Sequence, residues 1–245
     1  NSDINLVKLF GIFREFDQTT LIMNYIPHTP FRSFLTEITS TMIRDYMKSL
    51  FTALSFVHSQ KIIHRDVKPA NFLFDPNSGN GCLIDFGLCQ TDLHLNSYQE
   101  APEIDNIHKP IYIHKDSIKI SNKINDDELV HPEKYQNRPK MIANRAGTRG
   151  FRAPEVLLAA FNQTPKLDVW SSGVILLSML TQRYPFFRSR DDLEALAEIA
   201  TIIGSKRLCE AARECGRVVV FEGGPINGID LKQMCYELNP NLTNI

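Results

Sequence analysis

The chain has 245 residues, 43% of them hydrophobic and 22% charged, which is enough apolar material for a substantial core and argues against disorder of the whole. A formal net charge of -1 and a pI near 6.7 argue against a surface devoted to nucleic acid or to an anionic membrane, so any partner must be read locally. Apolar runs such as "GVILLSML" at 173–180 fall short of the roughly 20 residues a bilayer demands, and the opening "NSDINLVKLF" has no signal-peptide shape.

In chain order, "LVKLFGIFRE" and "TTLIMNYI", separated by "FDQ", predict an antiparallel hairpin, and "FRSFLTEI" a short helix. Apolar residues at Ile43, Tyr46, Met47, Leu50, Leu54 and Val57 recur at three- and four-residue steps, which predicts a long, largely buried helix over 41–58 with Ser40 or Thr39 as N-cap. A polar stretch, "HRDVKPAN", interrupts the apolar pattern before strands at "NFLFD" and "CLIDF" joined by a turn at "PNSGNG". Residues 90–140 are polar, with scattered isoleucines and no sustained period, and read as a long, partly disordered insertion. Helices are expected again at "APEVLLAAF", at "LDVWSSGVILLSMLTQ", which is apolar on nearly every face and should be the most buried, and at "DDLEALAEIATIIG", capped by Asp191 or Asp192. The five cysteines, at 82, 89, 209, 215 and 235, are odd in number and form no CxxC pair, so a disulfide framework or zinc site is not indicated and a reducing compartment fits best.

The polar stretch has the parts that phosphoryl transfer needs: an aligned hydroxyl, a held metal and stabilised charge. Asp66 can accept or orient a hydroxyl proton, Lys68 can reach a phosphate, and Asn71 can offer a neutral oxygen to magnesium. A second carboxylate follows at Asp85 in "DFG", where Phe86 can pack and Gly87 permits a sharp turn. His64 in the same stretch is expected to be a packed, hydrogen-bonded core histidine. The histidines at 94, 108, 114 and 131 are expected to be solvated loop residues.

These loops, in this order, resemble the catalytic and magnesium loops of eukaryotic protein kinases. "GTRGFRAPE" at 147–155 resembles the end of a kinase activation segment, where the resemblance implies that Thr148 braces Asp66 and Lys68 and that Glu155 anchors the loop. "LDVWSSGV" at 167–174 is similar to the central helix, whose Asp168 would hold the catalytic-loop backbone. Met23 stands at the gatekeeper position, and Asn24, Tyr25 and Ile26 stand where such kinases bind adenine. The fold implied is α+β and two-lobed: 1–26 would be the end of a small β lobe and hinge, and 27–245 a mostly helical large lobe, with 90–140 inserted in the activation segment. ATP and Mg2+ are the implied cofactors. The glycine-rich loop, strand lysine and helix glutamate of such kinases have no counterpart here, nor do the closing helices. With the lack of an initiator methionine, this leads us to expect a piece of a longer protein, inactive alone.

Lys68, two positions after Asp66, matches the pattern for serine/threonine acceptors. From Asp85 to Glu155 the segment runs 71 residues, and 122–147 contain no serine or threonine, so the phosphate that would pair with Arg65 has no evident acceptor there. With "IDFGL.Q", "RAGTRGFRAPEVL" and "DVWSSGVILLSMLTQRYPFF", the chain resembles the cell-division-cycle-seven kinases. That resemblance implies a nuclear enzyme that phosphorylates subunits of the replicative helicase and is activated by a separate regulatory subunit. The family's zinc-binding insertion is not matched, because 90–146 contain no cysteine. Arg145, Arg149 and Arg152 crowd the segment that would meet the substrate, which favours acidic or pre-phosphorylated serine/threonine sites. Neither a membrane nor direct nucleic-acid contact is expected. The alternatives are a kinase of another subfamily and a noncatalytic pseudokinase scaffold.

Overall fold

A computed structural model describes residues 4–91, 110–114, 146–160 and 163–244. The first element is the expected hairpin: β1 (Leu9–Glu15) pairs antiparallel with β2 (Gln18–Met23), Ile12 opposite Leu21. Just before it, Val7 donates to Leu83 O and Leu83 N donates to Asn5 O, which lays the start of the chain along a strand of the helical part. Both faces of the hairpin carry exposed apolar side chains, Phe10, Phe13 and Leu21 among them.

The short helix α1 (Phe31–Leu35) stops three residues before the expected end at Ile38, yet Ile38 is buried in the core all the same. α2 (Ser40–Ser59) outruns the expected span by one residue at each end. Its N-cap is Thr39, whose hydroxyl accepts from Met42 N and satisfies one of the orphan amides of the first turn. The predicted stripe lies inward, with Tyr46, Met47, Leu50, Leu54 and Val57 all buried. Beneath it, β4 (Phe72–Asp75) and β5 (Asn80–Leu83) form an antiparallel ladder with Phe72 opposite Leu83. The Tyr46 ring packs 4.7 Å from Phe72 and 5.0 Å from Phe74, and burial of such side chains is worth roughly 1.5–3 kcal/mol each. A one-turn helix, Pro69–Asn71, leads into β4.

Two further ladders tie distant parts of the chain. β3 (Ile62–Ile63) pairs antiparallel with β6 (Gln90–Thr91), and β7 (Ile111–His114) pairs parallel with β8 (Val219–Glu222). The β7 strand corrects the reading of 90–140 as structureless at that point: Ile113 is fully buried, and His114 is a strand residue whose ring pairs with Glu222. Residues 92–109 and 115–140 of the insertion lie outside the described residues.

The helical part continues with α3 (Pro154–Leu157), α4 (Lys166–Thr181), α5 (Asp192–Ile203), α6 (Ser205–Glu214) and α7 (Leu231–Leu238). Nine of the sixteen residues of α4 are buried, as its apolar sequence predicts. Its buried hydroxyls are satisfied within the helix: Ser172 donates to Asp168 O, Ser178 to Val174 O and Thr181 to Leu177 O. Ser171 lies within bonding distance of Leu167 O and of Phe151 O, and so ties 146–153 to α4. α5 is capped by Asp191, which accepts from Glu194 N.

Candidate active site

The polar stretch after β3 is held from below by one buried carboxylate. Asp168, near the start of α4 and without solvent exposure, accepts from Arg65 N at 2.8 Å through Oδ1, and from His64 N at 2.9 Å through Oδ2. His58, closing α2, donates its Nε2 to the same Oδ2 at 2.8 Å. Two successive amides bound by one carboxylate fix the backbone course, and Arg65 is held at φ +70, outside the usual range of a side-chain-bearing residue. His64 is fully buried with its ring 5.1 Å from Phe86. It donates Nε2 to Ile84 O, and its Nδ1 accepts from Asp66 N, which makes it the packed core histidine expected from the sequence.

Asp66, once the backbone is fixed, projects into a ring of donors. Oδ1 accepts from Thr148 N at 2.8 Å and from Thr148 Oγ1 at 2.6 Å. Oδ2 accepts from Lys68 Nζ at 2.8 Å and from Asn71 Nδ2 at 2.9 Å. Lys68 Nζ also donates to Thr148 Oγ1 at 2.7 Å, which closes a triangle between residues 80 positions apart. Burial pushes the Asp66 carboxyl up, but the hydrogen bonds from Lys68 and Thr148 and the Lys68 charge outweigh it and hold the group below the ordinary carboxylate range. Thr148 reaches Asp66 because Gly147 precedes it: at φ +101, a Cβ on Gly147 would stand 2.7 Å from Arg65 O, so only glycine lets the two segments approach this closely.

Asn71 spends Nδ2 on Asp66, on Oδ2 and on the backbone oxygen, so Oδ1 is the atom it can offer to a ligand. Asp85 is exposed, at φ +62, just past the end of β5, and its Oδ1 accepts from Gly87 N. Oδ2 of Asp85 and Oδ1 of Asn71 are hard oxygen donors of the kind magnesium takes.

Other expected residues sit around this centre. Met23 ends β2, opposite Leu9. Asn24 exchanges two bonds with Lys8: its backbone N donates to Lys8 O, and its Oδ1 accepts from Lys8 N. Tyr25 is exposed, and Ile26 O lies 2.9 Å from His28 Nδ1. Of the three arginines expected at the substrate face, Arg152 is turned inward, donating Nε to Gly147 O at 2.9 Å and Nη1 to Asp192 at 3.2 Å, which makes it a brace for the 147–152 turn. Arg149 is exposed, and Arg145 lies outside the described residues. Glu155 is half-buried at the start of α3, and burial raises its carboxyl above the usual value, with Lys166 opposing. His58, which no sequence signal singled out, and Gln90, which the sequence offered only as the last letter of "IDFGL.Q" and whose Oε1 accepts from Arg65 Nη1 at 2.8 Å, are site residues whose partners stand 110 and 25 positions away.

Comparison with known proteins matches residues 2–103 and 104–241 to the family described as Protein kinase domain. The chain is 42% identical over 242 residues to "Probable cell division control protein 7 homolog 2" of Encephalitozoon cuniculi, covering 96% of this chain and 66% of that protein. It is 39% identical over 214 residues to "Cell cycle serine/threonine-protein kinase hsk1" of Schizosaccharomyces pombe, covering 86% of this chain and 40% of the relative. To "Cell division cycle 7-related protein kinase" of Homo sapiens it is 27% identical over 351 residues, covering 96% and 61%. The chain thus spans less than two thirds of the length of each of these relatives.

Proposed function

This chain belongs to the protein kinase domain family, and from that premise we propose that it is the catalytic core of an ATP-dependent serine/threonine protein kinase of the cell-division-cycle-seven type. The observation that carries the reading is the closed Asp66–Lys68–Thr148 triangle, which joins the two segments a phosphoryl acceptor must lie between.

Asp66 is a weak base in this setting, with four donors around two oxygens. Phosphoryl transfer tolerates that, because the transition state is loose and needs the hydroxyl aligned more than it needs it deprotonated. Lys68, on a flexible stem, is the donor that can turn from Oδ2 toward a phosphate oxygen. That movement opens Oδ2 to the serine or threonine hydroxyl, whose proton passes to the carboxylate as the phosphoryl group is transferred. Thr148 keeps Oδ1 in place throughout, through both its amide and its hydroxyl. Magnesium, when bound, would neutralise phosphate charge, held by Asn71 and Asp85. Met23 and the 24–26 backbone form the adenine side of the proposed nucleotide site.

The depressed Asp66 group sets a pH expectation. An ionised Asp66 is the competent form, so activity is present above its pKa and lost as pH falls through it. Thr148→Val removes the hydroxyl donor while burial remains, so the acid limb of kcat should move to higher pH; a profile overlying the wild type would contradict the brace.

The remainder of the proposal rests on the family resemblance alone: a nuclear enzyme, an activating regulatory subunit, and helicase subunits as substrates. Acidic or pre-phosphorylated acceptor sites follow from Arg149; Arg152 is spent on Gly147 and Asp192. Arg149→Ala should weaken transfer selectively to peptides with Asp or Glu after the serine, and an equal loss on neutral peptides would defeat that preference. The wider reading is tested by assaying the full-length protein on an acidic serine peptide with and without its co-expressed regulatory subunit. Full activity without a partner would remove the assignment to this subfamily.

A further inference from the structure

We infer that Arg32 is a specificity-determining residue of the phosphotransfer reaction: seated on the Tyr184 ring, its guanidinium receives an acidic or phosphorylated side chain of the substrate at a position other than the residue after the serine. This deepens the kinase reading above and rests on it.

Arg32 is the second residue of α1, and its neighbours hold the backbone there still. Phe31 packs edge-on against Phe34, Tyr46 and Tyr184, with ring centroids 5.4, 6.0 and 5.0 Å apart, and Phe34 lies 5.8 Å from Phe74. The Arg32 side chain is exposed, with its guanidinium carbon 5.0 Å from the centre of the half-buried Tyr184 ring. A guanidinium over a ring is held by the π face rather than by an oxygen acceptor, so its planar fork of N–H groups stays available. Among the described residues it has no carboxylate partner. The ring contact also restrains a long side chain before any ligand arrives, so part of the ordering cost of binding is met in advance. Such a fork matches the two oxygens of a carboxylate or a phosphate.

Tyr184 joins Arg32 to the acceptor side of the molecule. Its ring lies 6.4 Å from that of Phe151, and a Cβ on Gly150 would stand 3.2 Å from Phe187 O, so the 184–187 loop lies against the 147–152 turn. Phe151 N in turn donates to Thr148 O, and Thr148 holds Asp66. Phe31, Tyr184 and Phe151 therefore make a continuous aromatic floor from Arg32 to the segment beside the reacting carboxylate. An extended peptide advances about 3.3–3.6 Å per residue, so a substrate whose serine lies at Asp66 brings a side chain to Arg32 several residues away. Arg149, next to Thr148 in the chain, serves the residue after the serine instead.

The test is a peptide scan on the full-length protein with its regulatory subunit. A neutral serine peptide is compared with a set in which one Asp, or one phosphoserine, is walked position by position along both sides of the acceptor. The ratio of kcat/KM, acidic to neutral, is read for the wild type, Arg32→Ala, Arg32→Glu and Arg149→Ala. The wild type should show a raised ratio at a position several residues from the serine. Arg32→Ala should lower that ratio roughly 3- to 10-fold, the size of a pre-ordered but solvent-exposed charge pair. Arg32→Glu should bring it below one, and Arg149→Ala should leave it in place. A larger loss with phosphoserine than with Asp would assign the subsite to pre-phosphorylated substrates, and an equal loss to acidic ones. No position responding to Arg32→Ala, a response confined to the residue after the serine, or an equal loss on acidic and neutral peptides would each overturn the inference. Binding of the same peptides, followed by fluorescence anisotropy, separates this subsite from the kinase reading. If the wild type transfers no phosphate, that reading fails; weaker binding of the acidic peptide by Arg32→Ala than by the wild type would still sustain the anion site, and equal binding would remove it.

Discussion

Asp66→Asn should lower phosphate transfer by about 100- to 10,000-fold while leaving the KM for ATP nearly unchanged, the range expected when a positioned acid–base group is lost. The reason lies in the donors around the carboxylate. Thr148 brings an amide and a hydroxyl to Oδ1, and Lys68 and Asn71 bring two N–H groups to Oδ2. An asparagine can offer an oxygen to one pair only; its NH2 must face the other, donor against donor. The substitution therefore removes the proton acceptor and disrupts the alignment of Lys68 or Thr148 at once. Single-turnover and steady-state rates on one serine peptide measure it, and a loss below tenfold would mean that Asp66 neither accepts nor aligns the hydroxyl.

Asp168→Ala should be the most damaging single change to the fold near the site. It leaves three donors, His58 Nε2, His64 N and Arg65 N, without their shared buried acceptor. Removing one partner of a buried, hydrogen-bonded charge costs about 3–5 kcal/mol. For a domain of this size each kcal/mol lowers Tm by roughly 2–4 °C. Calorimetry on the full-length protein gives the number, and activity should fall with it, because Arg65 can leave φ +70 once its amide is released. A change in Tm of less than about 2 °C would show that the loop is fixed from elsewhere.

Legibility of the fold from sequence followed the range of the interactions involved. α2 was read to within a residue at each end because its apolar stripe and Thr39 cap are local signals. α1 was overrun because Ile38, apolar and in phase, is buried outside the helix, and periodicity cannot separate the two cases. β7 had only a short local signature, the β-branched and aromatic run Ile111–Tyr112–Ile113, and it becomes a strand by pairing with Val219–Glu222, more than a hundred positions later. Within the site, residue types and spacing pointed to Asp66, Lys68, Asn71 and Asp85, and the family resemblance implied Thr148; the first three and Thr148 converge in one hydrogen-bonded cluster. The inward turn of Arg152 and the reach of Gln90 to Arg65 depend on tertiary approach, which spacing does not encode.

The measurement that tests the central claim most directly is phosphate transfer from γ-labelled ATP to a serine peptide by the full-length protein with its regulatory subunit, with the product mapped by mass spectrometry. The account predicts label on the serine hydroxyl, dependent on magnesium and lost in Asp66→Asn. A well-folded complex that binds ATP yet yields no phosphoserine, or yields it equally in Asp66→Asn, would contradict the assignment of this cluster as the phosphotransfer site.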